Sequence, residues 1–423
     1  MRDVIALLRA ERRPRLFYIA LAQSALGNGA AYVALLLVAY DRWHSPWAIS
    51  LVLLADLMPA MLLGPVFGAV ADRWSRRRCA VIADVVRAVA FVGIAVIDVF
   101  AATVAFALLA GAGTALFTPA TLAGLPSLVS KERLPAAISL YGAIADLGFT
   151  AGPGIAAGVL VVAGAEELLL VNGVTFALSA VILARLRFGA PPLDATPAPG
   201  RLLLSLFRDA RDGLTALSGL RAVRVVIAGG GAALFFGGLF NVGELPFATG
   251  ELETTDAGYS ALVAVFGLGF IGGSLAGSGG GSAGLLRRRF VEGAFLMGLG
   301  FLLSGLAPGL ATALVTFTLA GFGNGLLLVH ERVIVQETVP DNVLGRAFGI
   351  KDALASWAFG TAFLAAGALL TVLSPEVLIV ASGAGVMAVA VACGLALRSE
   401  ALTPRAVGRS GPRRRALREL GGD

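Results

Sequence analysis

The chain has 423 residues, 57% of them hydrophobic and 14% charged, with a mean hydropathy of +0.86. A soluble domain carries about 25% charged residues, so this composition excludes an ordinary soluble protein and indicates an integral membrane protein. The net charge of +6 would suit nucleic acid, but the basic residues fall in links between apolar stretches, not on one polar face. No nucleic-acid partner is expected; membrane lipid with anionic headgroups is.

Basic residues come first, between Arg2 and Arg15, and an apolar run over about 16–40 follows. That run is too long for a signal-peptide core and has no convincing small-residue cleavage site, so it reads as an uncleaved first helix. Further spans follow at about 47–71, 79–101, 103–129, 135–162 and 168–186. They match the roughly 20 residues that a helix needs to cross about 30 Å of hydrocarbon. A polar, basic stretch then holds Pro191, Pro192, Pro197 and Pro199, as a linker would. Six more spans occur at about 223–246, 257–277, 290–306, 310–333, 347–372 and 377–397, ahead of a basic tail.

The expected fold is therefore an all-α membrane protein of twelve transmembrane helices. Its parts are a six-helix half (1–186), a cytoplasmic linker (187–222), a second six-helix half (223–397) and a basic cytoplasmic tail (398–423).

Alternating the links tests the count. One set carries Arg73 to Arg78, Lys131, Arg133, the bases of the long linker, Arg287 to Arg289, and Arg346. The other carries Arg42 as its only clear base, with Asp41, Glu166, Glu167, Glu251, Glu253, Asp256 and Glu376. The positive-inside rule puts the basic set, and both termini, in the cytoplasm, with the protein in the plasma membrane. A weak internal repeat runs at an offset of 210 residues. The stretch Leu125 to Ala137 lies over Val335 to Ala347, and Arg77 and Arg78 fall on Arg287 and Arg288. Cys79 and Cys393 sit at a span start and inside the last span, which indicates no disulfide framework.

The link after the second span reads Gly68-Ala-Val-Ala-Asp72-Arg73-Trp-Ser75-Arg76-Arg77. It resembles the signature loop of the major facilitator superfamily, Gly-x-x-x-Asp-Arg/Lys-x-Gly-Arg/Lys-Arg/Lys, with Ser75 in place of the second glycine. The resemblance implies two similar six-helix halves around a central cavity. It also implies that Gly68, Asp72, Arg73, Arg76 and Arg77 form a latch bracing the halves on the cytoplasmic side. The arginines alone would be explained by topology; a carboxylate beside them, able to meet the positive end of another helix, suits a latch.

On the fifth span, Gly148-Phe-Thr-Ala-Gly152-Pro153 is similar to the glycine-proline antiporter motif of drug exporters of that superfamily, with Ala156 and Ala157 replacing a glycine pair. Small residues four apart also serve close helix packing. The arginine that such exporters often carry in the fourth helix is absent from 103–129. Phe117-Thr-Pro-Ala120, Asn172-Gly-Val-Thr-Phe176 and Gln336-Glu-Thr-Val-Pro340 together resemble the branch with macrolide and enterobactin exporters.

Ionisable groups within a span default to function. Asp56 and Asp146 fall roughly 14 to 17 Å from their span ends and are the first proton-coupling candidates. The alternatives are a hydrogen bond near Pro59 and a polar helix contact. Phe236, Phe240 and Glu244 stand at i, i+4 and i+8 on the seventh span, with Asn241 beside them. That stripe either lines a cavity for an apolar or cationic substrate, with Glu244 as a further proton site, or packs with Glu244 near the surface. Asn28 and Tyr32 share a face of the first span, and Asn172 and Asn324 lie in the sixth and tenth; all four are cavity candidates or helix bridges. Asp84 and Arg87, three apart, should pair.

Two histidines, His44 and His330, on opposite sides of the membrane give no metal site, and no phosphate-binding glycine loop with lysine appears. Neither cofactor nor enzymatic chemistry is expected. The function expected is proton-coupled export of a hydrophobic or amphipathic small molecule, drug or siderophore, by alternating access of a monomer. A lysophospholipid flippase or nutrient uptake porter of the same fold is the alternative, and a non-transporting membrane scaffold the reading from another class.

Overall fold

The computed structural model describes residues 12–186, 188, 219–278 and 281–398. These contain twelve long helices. The first six are α1 (Arg12–Trp43), α2 (Pro46–Arg73), α3 (Arg76–Val96), α4 (Phe100–Gly124), α5 (Leu134–Val159) and α6 (Ala165–Ala184). The second six are α7 (Arg221–Pro246), α8 (Asp256–Ala276), α9 (Ala283–Gly305), α10 (Leu310–Thr338), α11 (Asp341–Leu369) and α12 (Pro375–Leu397). Eleven are long and apolar enough to cross a membrane; α9 is set apart by Arg287, Arg288, Arg289 and Glu292 in its first turns. The long linker and the tail expected from the sequence lie mostly outside the described residues.

Local chemistry sets the helix starts. Thr255, Ser282 and Ser374 each accept a backbone N–H three residues on, which satisfies one orphan donor of α8, α9 and α12. Proline opens α2 and α12 where no N–H is missed. Large apolar side chains such as Val162, Val174, Val315 and Val372 stay exposed, which in a bilayer is lipid contact and costs nothing.

The two halves pack by one pattern. In the first, α1 pairs with α5 and α6, α2 with α4, and α3 with α4 and α6; in the second, α7 pairs with α11 and α12, α8 with α10, and α9 with α10 and α12. The 210-residue offset is written into the crossings. Gly111 meets the backbone of Asp56 as Gly321 meets that of Phe266; Gly113 meets Ala83 and Arg87 as Gly323 meets Gly293 and Met297; Gly173 meets Val92 as Gly383 meets Leu302. Without a hydrophobic drive between helices in lipid, close backbone approach at small residues supplies the packing.

The halves join along α2–α11 and α5–α8. One buried apolar cluster, including Val33, Leu53, Leu245 and Phe363, runs through both halves. Toward the end that carries Arg73 to Arg78, it gives way to two separate clusters. One belongs to the first half (Phe17, Ala80, Phe117, Leu128) and one to the second (Val223, Val335, Ala347). The bundle is closed at its acidic end and parted at its basic end.

Candidate functional site

Beneath the closed seam lies a cavity of about 110 Å³. Helix α7 supplies Phe240, Asn241 and Glu244, α10 supplies Asn324, and Tyr32 reaches in from α1 of the other half. Glu244 lies seven residues, about 10 Å along the axis, from Glu251 at the acidic end. It is nonetheless only 4% exposed, so it is not a surface group. Its Oε1 accepts the Tyr259 hydroxyl at 3.0 Å, tying α7 to α8, and Asn241 is a second hydrogen-bond partner. No ion pair reaches Glu244 among the described residues. The Asn324 Oδ1 is buried without a hydrogen-bond partner among them, an acceptor left for a ligand or water.

Much of the remaining lining is aromatic. Phe240 stacks on Phe301 with ring centroids 3.9 Å apart and planes at 14°, and tilts against Phe317 at 5.1 Å. Phe266 and Phe359 add to that lining. An apolar floor with a carboxyl group and amide oxygens suits an apolar body bearing a cationic or hydrogen-bonding head. Among the residues lining the cavity there is no lysine or arginine.

Asp56 of the first half does not line this cavity. It occupies the repeat position of Phe266, is exposed, and lies within electrostatic reach of both Tyr32 and Arg87. Arg87, fully inside the first half, donates to Asp84 and stacks over Phe117 and Phe176 at 4.1 and 4.2 Å. The expected Asp84–Arg87 pair is therefore formed, inside an aromatic sleeve.

Other sequence candidates fall elsewhere. Phe236 leaves the stripe; its ring lies against Gly385 of α12, because the i+4 step on a 3.6-residue helix turns successive side chains by about 40°. Asn172 is buried on α6, where its Oδ1 accepts from Thr175 of the same helix at 3.1 Å and faces Gly27 of α1; it does not line the cavity. Asn28 is exposed on α1, one turn nearer the basic end than Tyr32. Asp146 is exposed on α5 and meets no hydrogen-bonding or ionic partner among the described residues.

Gly148 and Gly152 carry the α1–α5 crossing. A Cβ at Gly148 would lie 2.5 Å from Ala25 O, and one at Gly152 2.5 Å from Gly29 C. Pro153 follows inside the same helix. The neighbouring face of α5 meets α8, Thr150 against Gly267 and Gly154 against Ala264. Gly68 has open space around it, Arg73 and Arg77 are exposed, and Arg76 is half-buried; the side chain of Asp72 lies outside the described residues.

Sequence reasoning missed Tyr259, which stands fifteen residues from Glu244 on another helix. The available signal was a tyrosine inside an apolar span, whose hydroxyl needs a buried partner.

Residues 17–292 match the Major Facilitator Superfamily. The chain belongs to that superfamily. Among its relatives, the "Multidrug efflux pump Tap" of Mycolicibacterium fortuitum is 26% identical over 382 residues, covering 85% of this chain and 90% of Tap. The "Putative bacilysin exporter BacE" of Bacillus subtilis is 25% identical over 343 residues, covering 78% of this chain and 82% of BacE. A crystal structure of the nucleoside transporter NupG superposes with a TM-score of 0.71 at 12% identity, covering 92% of this chain and all of NupG, which shows the shared fold. The protein is thus a multi-pass secondary transporter of the major facilitator superfamily, not an enzyme, and a small-molecule substrate follows from that membership.

Proposed function

We propose that this transporter exports an apolar or amphipathic small molecule, neutral or cationic, in exchange for protons. Its basic end and both termini would face the cytoplasm of a cell bounded by the plasma membrane, and the monomer would be the working unit. The parted basic end then makes the conformation inward-facing. The observation that carries the reading is Glu244: a buried carboxyl group, held by Tyr259 and Asn241 without a cationic partner, at the closed end of an aromatic cavity.

A proton and a cationic head would compete for that carboxyl group, which is the coupling an antiporter needs. Asp56, within electrostatic reach of Tyr32, would be the companion carboxylate on the first half, and Asp146 is set apart because it stands away from the cavity. The names of Tap and BacE support export. Within that class, a cavity lined by a carboxyl group and no base favours a cationic drug over an anionic siderophore. When the basic end closes, Asp72, with Arg73, Arg76 and Arg77 beside open Gly68, would latch it.

Inverted vesicles with an imposed inside-acid gradient test this reading, following a fluorescent lipophilic cation in wild type, Glu244→Gln, Asp56→Asn, Asp146→Asn and Asp72→Asn. The expected result is loss of gradient-driven accumulation in Glu244→Gln with counterflow exchange retained, and near-normal accumulation in Asp146→Asn. Gradient-independent behaviour of wild type toward cationic, neutral and anionic compounds alike would overturn it, in favour of lysophospholipid or nutrient movement; absence of any flux would leave a scaffold.

A further inference from the structure

A second, larger cavity has no part in the reading above. It lies between α9 and α12, over Phe322 and Leu326 of α10, in the second half, about 510 Å³ in volume, and continues into a neighbouring one of about 440 Å³ through Val291, Glu292, Gly394 and Arg398. Neither α9 nor α12 packs against the first half, so the groove faces away from the transport path and toward lipid. Phe295, Val391 and Leu395 line it and are exposed, an apolar surface that continues into the hydrocarbon.

The mouth is at the basic end. Arg287, Arg288 and Arg289 stand in the first turns of α9, and Arg398 follows the last residue of α12. Two of the four guanidinium groups have work within the protein: Arg287 Nη1 donates to Leu397 O at 2.7 Å, closing the end of α12, and Arg288 Nε donates to Glu292 at 2.6 Å. Arg289 is 3.7 Å from the same carboxylate, and Arg398 has no acidic partner among the described residues. One carboxylate against four guanidinium groups leaves a positive excess at the mouth. From Arg289 to Phe295, and from Arg398 to Val391, the groove runs about 9 to 10 Å along the helices, the depth over which a lipid passes from phosphate to acyl chain.

We propose that this groove binds an anionic phospholipid of the leaflet at the basic end. Arg289 and Arg398 hold the phosphate, and an acyl chain lies over Phe295, Val391 and Leu395. A basic mouth above an apolar trough between transmembrane helices is complementary to such a lipid in both charge and polarity. Residues 399–423 are the competing occupant, but they carry Arg405, Arg409, Arg413, Arg414, Arg415 and Arg418, the same sign as the mouth. Gly394 keeps the trough open: a Cβ there would lie 3.4 Å from Val291, ordinary contact, so a larger side chain would fill the space without a clash.

The test is lipid retention by the purified full-length protein in detergent, read by native mass spectrometry with equal amounts of dioleoylphosphatidylglycerol and dioleoylphosphatidylcholine. Wild type is expected to retain the phosphatidylglycerol about tenfold or more over the phosphatidylcholine. The Arg289→Gln/Arg398→Gln variant and, separately, Gly394→Leu are expected to lose that preference, while Arg221→Gln and the tail variant Arg413→Gln/Arg414→Gln/Arg415→Gln keep it. Elution of each variant as a single species shows that it has folded, and the Arg289→Lys/Arg398→Lys variant, which keeps the positive charge, is expected to restore retention; a folded lysine variant that still fails to retain the phosphatidylglycerol would count against charge as what holds the lipid. Equal retention of the two lipids, unchanged retention in both groove variants, loss of retention in the tail variant, or a protein dimer in place of lipid would each overturn the proposal.

Discussion

Arg87 on α3 and Met297 on α9 stand at the same place in the two halves, each packed against a glycine of the following helix, Gly113 or Gly323. The scaffold is shared and the charge is not. Arg87 has Asp84 one turn before it and two aromatic rings around it, whereas Met297 follows Ala294 and borders the aromatic cavity. The reverse holds on α7 and α8, where Glu244 and Tyr259 correspond to Ala34 and Ile49 of the first half. A duplicated frame thus carries one polar centre per half, at different depths.

The second half shows what the first would be without its ion pair. Replacing Arg87 by Met alone leaves Asp84, 0% exposed, without its cation, and breaking a buried pair in this way costs about 3–5 kcal/mol. Asp84→Ala/Arg87→Met together copies Ala294 and Met297 and should recover most of that loss. Thermal unfolding in detergent, followed by the fraction still eluting as a single species, distinguishes the two. Equal loss in the single and double variants would show that the rings and the arginine stem, not the charge balance, hold the site.

Arg42 closes the acidic end of the first half. Its guanidinium donates to Ile94 O at 2.9 Å, Ala95 O at 2.9 Å and Ile97 O at 3.1 Å, the orphan carbonyls at the end of α3, and to Glu166 at 2.7 Å. Asp98, 73% exposed and 3.8 Å away, adds little. Arg42→Ala should therefore cost about 2–3 kcal/mol, and Arg42→Lys should recover less than half, because one ammonium cannot span three carbonyls and a carboxylate. Asp98→Asn should leave the melting temperature where it is.

Glycine matters in α5 only where another helix touches it. Gly148→Ala places a Cβ 2.5 Å from Ala25 O, whereas Gly142 has nothing within 4 Å. The first substitution should destabilise by roughly 1–3 kcal/mol through overpacking. The second should be neutral or slightly stabilising, since alanine is the better helix former. Comparable melting temperatures for the two variants would sink the idea that the crossing sets the helix spacing.

The helices, and the offset that relates the halves, were legible because long apolar runs and basic links survive in one dimension. Arg77 and Arg78 over Arg287 and Arg288 already carried the 210-residue period that the glycine crossings repeat. The direction of each side chain was not legible. Phe236 and Phe240 look equivalent in a stripe, yet one packs on Gly385 and the other on Phe301, because a helix buried in a bundle is apolar on every side and periodicity selects no face. Tyr32 and Glu244 line one cavity, whereas Asp56 lies outside its lining, Asn172 meets Thr175 and Asp146 lies on an exposed face of α5. Spacing along one helix cannot say which neighbour stands opposite.

In the proposed alternating-access cycle the α2–α11 seam would part at the acidic end, and two positions can be used to stop it. A Cβ at Gly367 would lie 3.1 Å from Ser50 Cβ, a few tenths of an ångström inside the roughly 3.5–4.5 Å of a disulfide. The Ser50 hydroxyl has no hydrogen-bond partner among the described residues to lose. Ser50→Cys/Gly367→Cys should therefore cross-link under mild oxidation, with Cys79 and Cys393 both buried and unpaired. Vesicle transport should fall about tenfold or more when the bond forms and return with dithiothreitol, as expected if the acidic end must open in each cycle. Gly68→Cys/Gly349→Cys, on the same two helices toward the basic end, should stay reduced in the resting protein, because a Cβ at either position meets nothing within 4 Å. Equal cross-linking at both ends would mean that the resting protein is not parted at the basic end, and full transport by the cross-linked Ser50–Gly367 variant would remove the seam from the transport cycle.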